Sequence, residues 1–244
     1  MEITLTVARD YDELSRITAA RIIAHINDDP TGLYCFAGGD TPVATLRLLA
    51  KAAAAGVVDL THAHFVELDE WVGIDERDPG SCISYLRSNL FEPAGIEESQ
   101  IHRFNPVAED LSAECAAADE YIAAHGGISL ALLGVGVNGH LGFNEPGSAL
   151  EGRAHVVELT ETTRSVGTKY FSESDGSGCT SATQGITLGL AQLLCARELI
   201  VQANGSKKRD AIAHVLKGAY DPAWPVSSIW THRSARLVVD NDAL

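Results

Sequence analysis

Hydrophobic positions along the chain fall into short, nearly continuous runs separated by stretches in which apolar residues recur at helical spacing. The runs at 3–7, 32–36, 64–68, 101–104, 130–133, 155–159, 198–203 and 237–240 predict strands. Helical patterns lie between them at 11–27, 42–55, 81–90, 111–124, 162–170, 188–195 and 206–216. Strands that read as unbroken apolar runs, rather than alternating ones, are buried on both faces, as parallel strands are. The order strand, helix, strand, helix therefore predicts an α/β protein with a Rossmann-like, open, mostly parallel sheet and helices on both faces. No internal repeat and no linker interrupts the pattern, so residues 1–244 are expected to form a single domain. The stretch 172–183, rich in Ser, Gly and Thr, reads as a mobile loop.

The unusual polar residues fall at particular places in this pattern. Gly38-Gly39-Asp40-Thr41-Pro42 follows the second predicted strand and Asp69-Glu70-Trp71 the third. Gly134 to Glu145 follows the fifth, and Gly205-Ser206-Lys207-Lys208 follows the strand at 198–203. The carboxyl ends of parallel strands line one ligand crevice in an open α/β sheet. Four loops of this composition converging on one rim predict a site there.

The segment from Leu132 to Gly147, LLGVGVNGHLGFNEPG, is the most informative. Its glycines let the backbone turn sharply and approach a ligand closely. His140 and Glu145 just beyond the turn are suited to moving protons. The spacing lets the carboxylate pair with the imidazole, fixing its tautomer and raising its pKa. Asn138 fits a turn residue and a hydrogen-bonding role equally. Gly134-x-Gly136-x-x-Gly139 also matches the dinucleotide-binding fingerprint, with Glu158 about 20 residues further on. That motif must open into a helix, which Gly142, Asn144, Pro146 and Gly147 forbid, so an active-site loop is the better reading.

Asp69 and Glu70 could be a solvated edge, but a like-charge pair in a crevice raises at least one pKa and so supplies a base. Gly38, Gly39 and Thr41 before a helix fit a phosphate cradle, in which the carboxylate of Asp40 is a departure. Lys207 and Lys208 at a helix start oppose the macrodipole, which favours a ligand-based reason for them. His62-Ala63-His64 lacks a third ligand, so no metal site is expected. Cys82 opens a helix near Asp69 with no base beside it, so it is read as a small buried residue.

Composition narrows the partners. A net charge of −15 argues against nucleic acid and anionic membranes, while leaving room for a small phosphorylated ligand held by a few lysines. The five cysteines are scattered without metal-ligand spacing and read as reduced thiols. The N-terminal residues carry no basic and apolar leader pattern, and no apolar run is long enough to cross a bilayer. A cytoplasmic location is expected.

With these residues assembled, the chain resembles the glucosamine/galactosamine-6-phosphate isomerase (deaminase) family over nearly its whole length. Leu68-Asp69-Glu70-Trp71-Val72-Gly73, the run Asn138 to Gly147, Ile186-Thr187-Leu188-Gly189 and Gly205-x-x-Lys208 match its signatures in order and spacing. The resemblance implies that Asp69 shuttles a proton between carbons 2 and 1. It also implies that His140, oriented by Glu145 and assisted by Asn138, opens the sugar ring. Gly39, Thr41, Lys169 and Lys208 would hold the 6-phosphate, with Lys169 standing where well-known members carry Arg. The candidate set is then catalytic Asp69, Asn138, His140 and Glu145, with Gly38, Gly39, Thr41, Glu70, Gly139, Lys169 and Lys208 binding substrate or phosphate.

This chemistry calls for no metal or organic cofactor, and the implied partner is a phosphosugar. The basic pair that binds an allosteric phosphosugar in the family's hexamers falls on His155 and Val157 here, and their C-terminal extension is missing. The resemblance thus implies a monomer or small homo-oligomer without an effector. Cys82 stands where glucosamine-specific members carry Tyr, and Trp71, Pro79 to Cys82 and Ile229-Trp230-x-His232 lean toward the galactosamine-6-phosphate branch. A 6-phosphogluconolactonase-like hydrolase and a non-catalytic sugar-phosphate sensor are the rival readings. The intact set Asp69, His140 and Glu145, and the lack of an N-terminal helix-turn-helix, speak against the sensor.

Overall fold

A computed structural model of the chain describes residues 3–171 and 182–244. Strands β1 (Ile3–Ala8), β2 (Leu33–Phe36), β3 (His64–Glu67), β5 (Ile101–His102), β6 (Leu130–Gly134), β9 (Glu198–Ala203) and β10 (Ala235–Asp240) form one sheet in the order β1-β10-β9-β6-β2-β3-β5. Every pairing in it is parallel. Alternate residues of each strand feed separate cores, because side chains point to opposite faces in turn. Tyr34, Phe36, Leu130, Leu132 and Ile200 pack against α1 (Tyr11–Asp28), α2 (Val43–Ala54) and α3 (Cys82–Leu86). Cys35, Ala131, Leu133, Leu199 and Val201 pack on the other face against α5 (Leu111–Ala124), α7 (Leu190–Leu194) and α8 (Arg209–Val215).

A second sheet departs from the sequence expectation. Residues 155–159 do not join the parallel sheet. They form β7 (His155–Glu158), which pairs antiparallel with β8 (Gln184–Thr187), and β8 pairs with the short β4 (Asp69–Trp71). The expected strand at 101–104 also stops early, because the Phe104 amide donates to the Glu67 carboxylate at 2.9 Å instead of to a ladder carbonyl. The helix expected at 81–90 changes after Leu86 to a π-turn over Arg87–Phe91 and then to α4 (Glu92–Ala94). Asn89 satisfies the Tyr85 carbonyl there through its side chain at 2.8 Å. The 206–216 helix begins with a 3-10 turn at Ser206–Lys208. Residues 172–181, most of the expected mobile loop, lie outside the described residues.

Helix ends are fixed by side chains. Asp10 caps α1 by accepting from the Glu13 amide at 2.8 Å, and Asp110 caps α5 through the Ser112 and Ala113 amides. A polar knot closes the amino ends of β6 and β9. Glu198 accepts from Arg21, from Arg236 at 2.7 Å and from His25 Nδ1 at 3.0 Å, while His25 Nε2 meets the Ser129 hydroxyl at 2.9 Å. Ser129 in turn donates to Asp29, which Arg197 also holds. Among the described residues no helix is long and apolar enough to cross a membrane.

Candidate active site

The sheet order places a crevice. From β2 the chain steps outward to β3 and β5, then returns to β2's other side with β6 and moves outward again to β9 and β10. The loops after β2 and β6 therefore diverge, and a ligand cleft opens where the direction reverses. A cleft of about 810 Å³ lies there. Gly38, Gly39, Thr41, Asp69, His140, Lys169 and Lys208 all line it, drawn from the carboxyl ends of several strands and from α6 (Glu161–Phe171).

The loop after β6 holds His140 rigidly. It folds back on itself, with the Gly136 amide donating to the His140 carbonyl at 2.9 Å and the Gly139 amide to the Gly136 carbonyl at 3.0 Å. A Cβ on residue 136 would lie 2.4 Å from His140 Nε2, so only glycine lets the ring settle over the strand end. No helix follows: Leu141 and Asn144 form a tight antiparallel bridge, and Asn144 locks it by donating to the Leu141 and Leu188 carbonyls. A pyrophosphate-binding helix is thereby absent from the place the dinucleotide fingerprint requires. Glu158 is committed to the small sheet, where it accepts from Gln184.

Behind His140 the pairing is indirect. His140 Nδ1 lies 3.6 Å from Glu145 Oε2 but 3.1 Å from the Thr163 hydroxyl, which contacts the Thr160 hydroxyl at 3.1 Å. Thr160 caps α6 and donates its amide to Glu145 at 3.1 Å. Asn138 donates to Glu145 at 2.7 Å and accepts from the His140 amide at 3.3 Å. Burial works against the Glu145 charge, yet His140, Thr163 and Asn138 outweigh it and hold the carboxyl down at about 2. An ionised carboxylate behind Nδ1 stabilises a proton on that nitrogen and leaves Nε2 for a ligand.

Asp69 is set by the small sheet. Pairing with β8 fixes β4, and the strand's two-residue alternation sends Asp69 and Trp71 to the cleft while Glu70 turns away. Asp69 is 8% exposed. Burial, and then the charge of Glu70, push its pKa up to about 7, against a smaller opposing effect of the Cys82 thiol. Such a group is about half ionised at neutral pH and is more basic than an ordinary carboxylate, as a base that takes a proton from carbon must be.

Glu70, expected from the sequence to touch substrate, is instead fully buried. It accepts from the amides of Trp71 at 2.8 Å, Cys82 at 2.9 Å and Ile83 at 3.0 Å, pinning the start of α3. Burial, followed by Glu70, raises the Glu67 pKa well above the carboxylate range, and Glu67 Oε1 has no donor of its own. Burial, and then the nearby carboxylates, also raise the Cys82 thiol, so it lines the cleft as a neutral group. Trp71 meets Phe143 at 4.7 Å and Phe171 at 5.6 Å edge-on, joining β4, the His140 loop and α6 into one apolar wall.

The far wall is cationic. Burial, then Lys169, depress the Lys208 pKa to about 8, and Asp40 partly offsets this. Lys169 pairs with the Asp40 carboxylate and lies over the Tyr170 ring at 4.7 Å. Gly39 adopts φ +109°, a conformation open to glycine, so its amide can face the cleft. Among the described residues no group of three or more His, Cys, Asp or Glu side chains is placed to hold a metal ion.

The sequence profile of the glucosamine-6-phosphate isomerases/6-phosphogluconolactonase family matches residues 9–239. The chain belongs to this family. It is 33% identical over 237 residues to a glucosamine-6-phosphate deaminase of Halalkalibacterium halodurans, covering 97% of this chain and 95% of that one. A glucosamine-6-phosphate deaminase of Lysinibacillus sphaericus is 36% identical over 228 residues, covering 93% and 94%. A solved monomeric glucosamine-6-phosphate deaminase superposes with a TM-score of 0.93 at 30% identity, covering 99% and 98%. The 6-phosphogluconolactonase of Trypanosoma brucei, at 21% identity and a TM-score of 0.76, shares the fold.

Within this family fold, the sequence-derived candidates divide by position. Gly38, Gly39, Thr41, Asp69, His140, Lys169 and Lys208 face the cleft. Asn138 and Glu145 stand behind His140. Gly139, expected to touch substrate, lies outside the cleft lining: it carries φ +81°, packs on Trp224, and accepts from the Val226 amide at 2.8 Å. His155 and Val157 sit on β7, also outside the lining. Thr160 and Thr163 were missed, because in sequence they look like an ordinary helix cap. Tyr85 and Tyr170, which line the cleft together with Lys169 and Lys208, carried no sequence signal.

Proposed function

We propose that this chain is an amino-sugar 6-phosphate deaminase that converts glucosamine 6-phosphate to the ketose 6-phosphate and ammonia. One observation carries the reading: Asp69, His140 and Lys208, far apart in sequence, line a single cleft of sugar-phosphate size. The 6-phosphate lies against Lys208, Lys169 and the loop from Gly38 to Thr41, and its binding holds the reacting carbons still. His140, backed by ionised Glu145 through Thr163, moves the anomeric hydroxyl proton to the ring oxygen and opens the pyranose. Asp69 takes the proton from carbon 2 and returns it to carbon 1, while a second proton passes from the amine to the carbon 1 oxygen, so that the aldehyde becomes a hydroxymethyl group and the carbon 2 amine an imine. Water adds to that imine, and the carbon–nitrogen bond breaks to release ammonia.

The full-coverage likeness to enzymes named glucosamine-6-phosphate deaminase supports the gluco substrate. Ammonia release, followed with glucosamine 6-phosphate and galactosamine 6-phosphate side by side, tests it. The gluco epimer is expected to turn over at least tenfold faster in kcat/KM. Preference for the galacto epimer would reassign the substrate, and lactone hydrolysis without ammonia release from either sugar would overturn the reading.

A further inference from the structure

Gly139 does not line the cleft, yet its carbonyl belongs to the peptide that leads into His140, so whatever grips that peptide sets the imidazole. One segment grips it from outside the cleft. The Val226 amide donates to the Gly139 carbonyl at 2.8 Å, while the amide of the same peptide has a longer bond of 3.3 Å to Asn138. The Pro222 carbonyl accepts from the Gly147 amide at 2.8 Å, so residues 222–226 hold both ends of the loop that carries His140 and Glu145. The segment is itself closed. Buried Ser227 accepts from the Asp221 amide at 2.8 Å and donates to the Trp224 carbonyl at 2.7 Å.

Trp224 stands between those two bonds. A Cβ on residue 139 would lie 2.7 Å from Trp224 Cε3, so the indole rests directly on the glycine. The indole also stacks on His214, with centroids 4.1 Å apart and 11° between the planes. Gly139, at φ +81°, has a freedom to turn that a side chain would deny it. Rotation there swings His140, and a catalytic group misplaced by about 1 Å can cost ~10²-fold in rate. Pro222, Trp224 and Val226 are all outside the cleft lining, so they act on a ligand only through the loop. We propose that Trp224 is a positioning residue for ring opening, its indole on Gly139 holding the peptide before His140, and hence the imidazole, in the working orientation. The proposal rests on the ring-opening role of His140.

The test measures kcat and KM on glucosamine 6-phosphate, together with the NMR signal of the His140 Cε1 proton, which His140→Gln identifies by its loss. Trp224→Leu is expected to lower kcat about tenfold with KM changed less than about twofold, and to broaden or split the His140 signal. Trp224→Phe, which keeps a flat ring on Gly139, is expected to hold both near wild type. In the His140→Gln background Trp224→Leu costs less than about twofold, because the group it positions is gone. Equal losses in the two backgrounds overturn the proposal, as does an unaltered His140 signal in folded Trp224→Leu protein. Should Trp224→Leu not fold, His214→Ala is read in the same way. It removes the ring's second support and is expected to cost about threefold in kcat, and no change in rate or signal overturns the proposal. A wild-type chain that releases no ammonia refutes the proposed function instead, and the His140 signal still decides whether Trp224 positions the ring.

Discussion

Two ends of the same sheet carry histidine–carboxylate clusters, and only one of them is built to react. At the amino ends of β6 and β9, Ser129, His25 and Glu198 stand in the order of a nucleophilic triad, with separations of 2.9 and 3.0 Å. Ser129 is fully buried and donates to Asp29, and Glu198 is enclosed by two arginines and a histidine. Both ring nitrogens of His25, the Ser129 hydroxyl and both Glu198 carboxylate oxygens are engaged by other protein atoms. At the carboxyl ends, Asp69 and His140 are supported from behind and face about 810 Å³ of open cleft. Similar side chains thus become structure or site according to whether their remaining hydrogen-bonding capacity faces protein or ligand.

Substitutions should separate the two ends cleanly. Asp69→Asn removes the base while keeping the shape, and is expected to lower kcat by at least about 10³-fold with substrate affinity retained. A near-normal rate would refute the assignment. His140→Gln is expected to cost about 10²-fold on the cyclic sugar and far less on the open-chain form. Equal losses on both forms would remove its ring-opening role. At the other end, Glu198→Gln is expected to leave kcat within about twofold and to lower stability by about 2 kcal/mol. That is less than breaking a fully buried pair costs, since both arginine heads are partly exposed.

The pH dependences differ as well. Burial works against the Glu198 charge, but His25, Arg21 and Arg236 outweigh it and hold its pKa below the ordinary 4.5. A carboxylate depressed in the folded state adds stability above that ordinary value, and the contribution fades as pH falls. The Glu198→Gln protein should therefore show a flatter loss of stability in acid than wild type. At the cleft, kcat/KM should rise with pH through about 7 as Asp69 ionises. It should fall beyond about 8 as free Lys208 loses its proton. A profile flat from pH 6 to 9 would contradict both assignments.

The parallel sheet was legible because its inner strands are buried on both faces and read as apolar runs. The small sheet was not, since β4 is the three-residue Asp69-Glu70-Trp71 and nothing in so short a polar run signals pairing with residues 184–187. That same strand explains the misplacement of Glu70. Neighbouring acids look alike in sequence, yet strand alternation sends one to the cleft and the other to the amides that start α3. His140 was visible through its glycines, whereas its link to Glu145 runs through Thr163, a tertiary contact without a sequence period. Asp40 was visible as an anomaly only, because its partner Lys169 lies 129 residues away.

The division of labour at the cleft is most directly tested with glucosamine 6-phosphate deuterated at carbon 2. If buried Asp69 carries the proton between neighbouring carbons, turnover slows several-fold and part of the deuterium is recovered on carbon 1 of the ketose product. Turnover that is insensitive to the label, with no deuterium on carbon 1, would contradict the account.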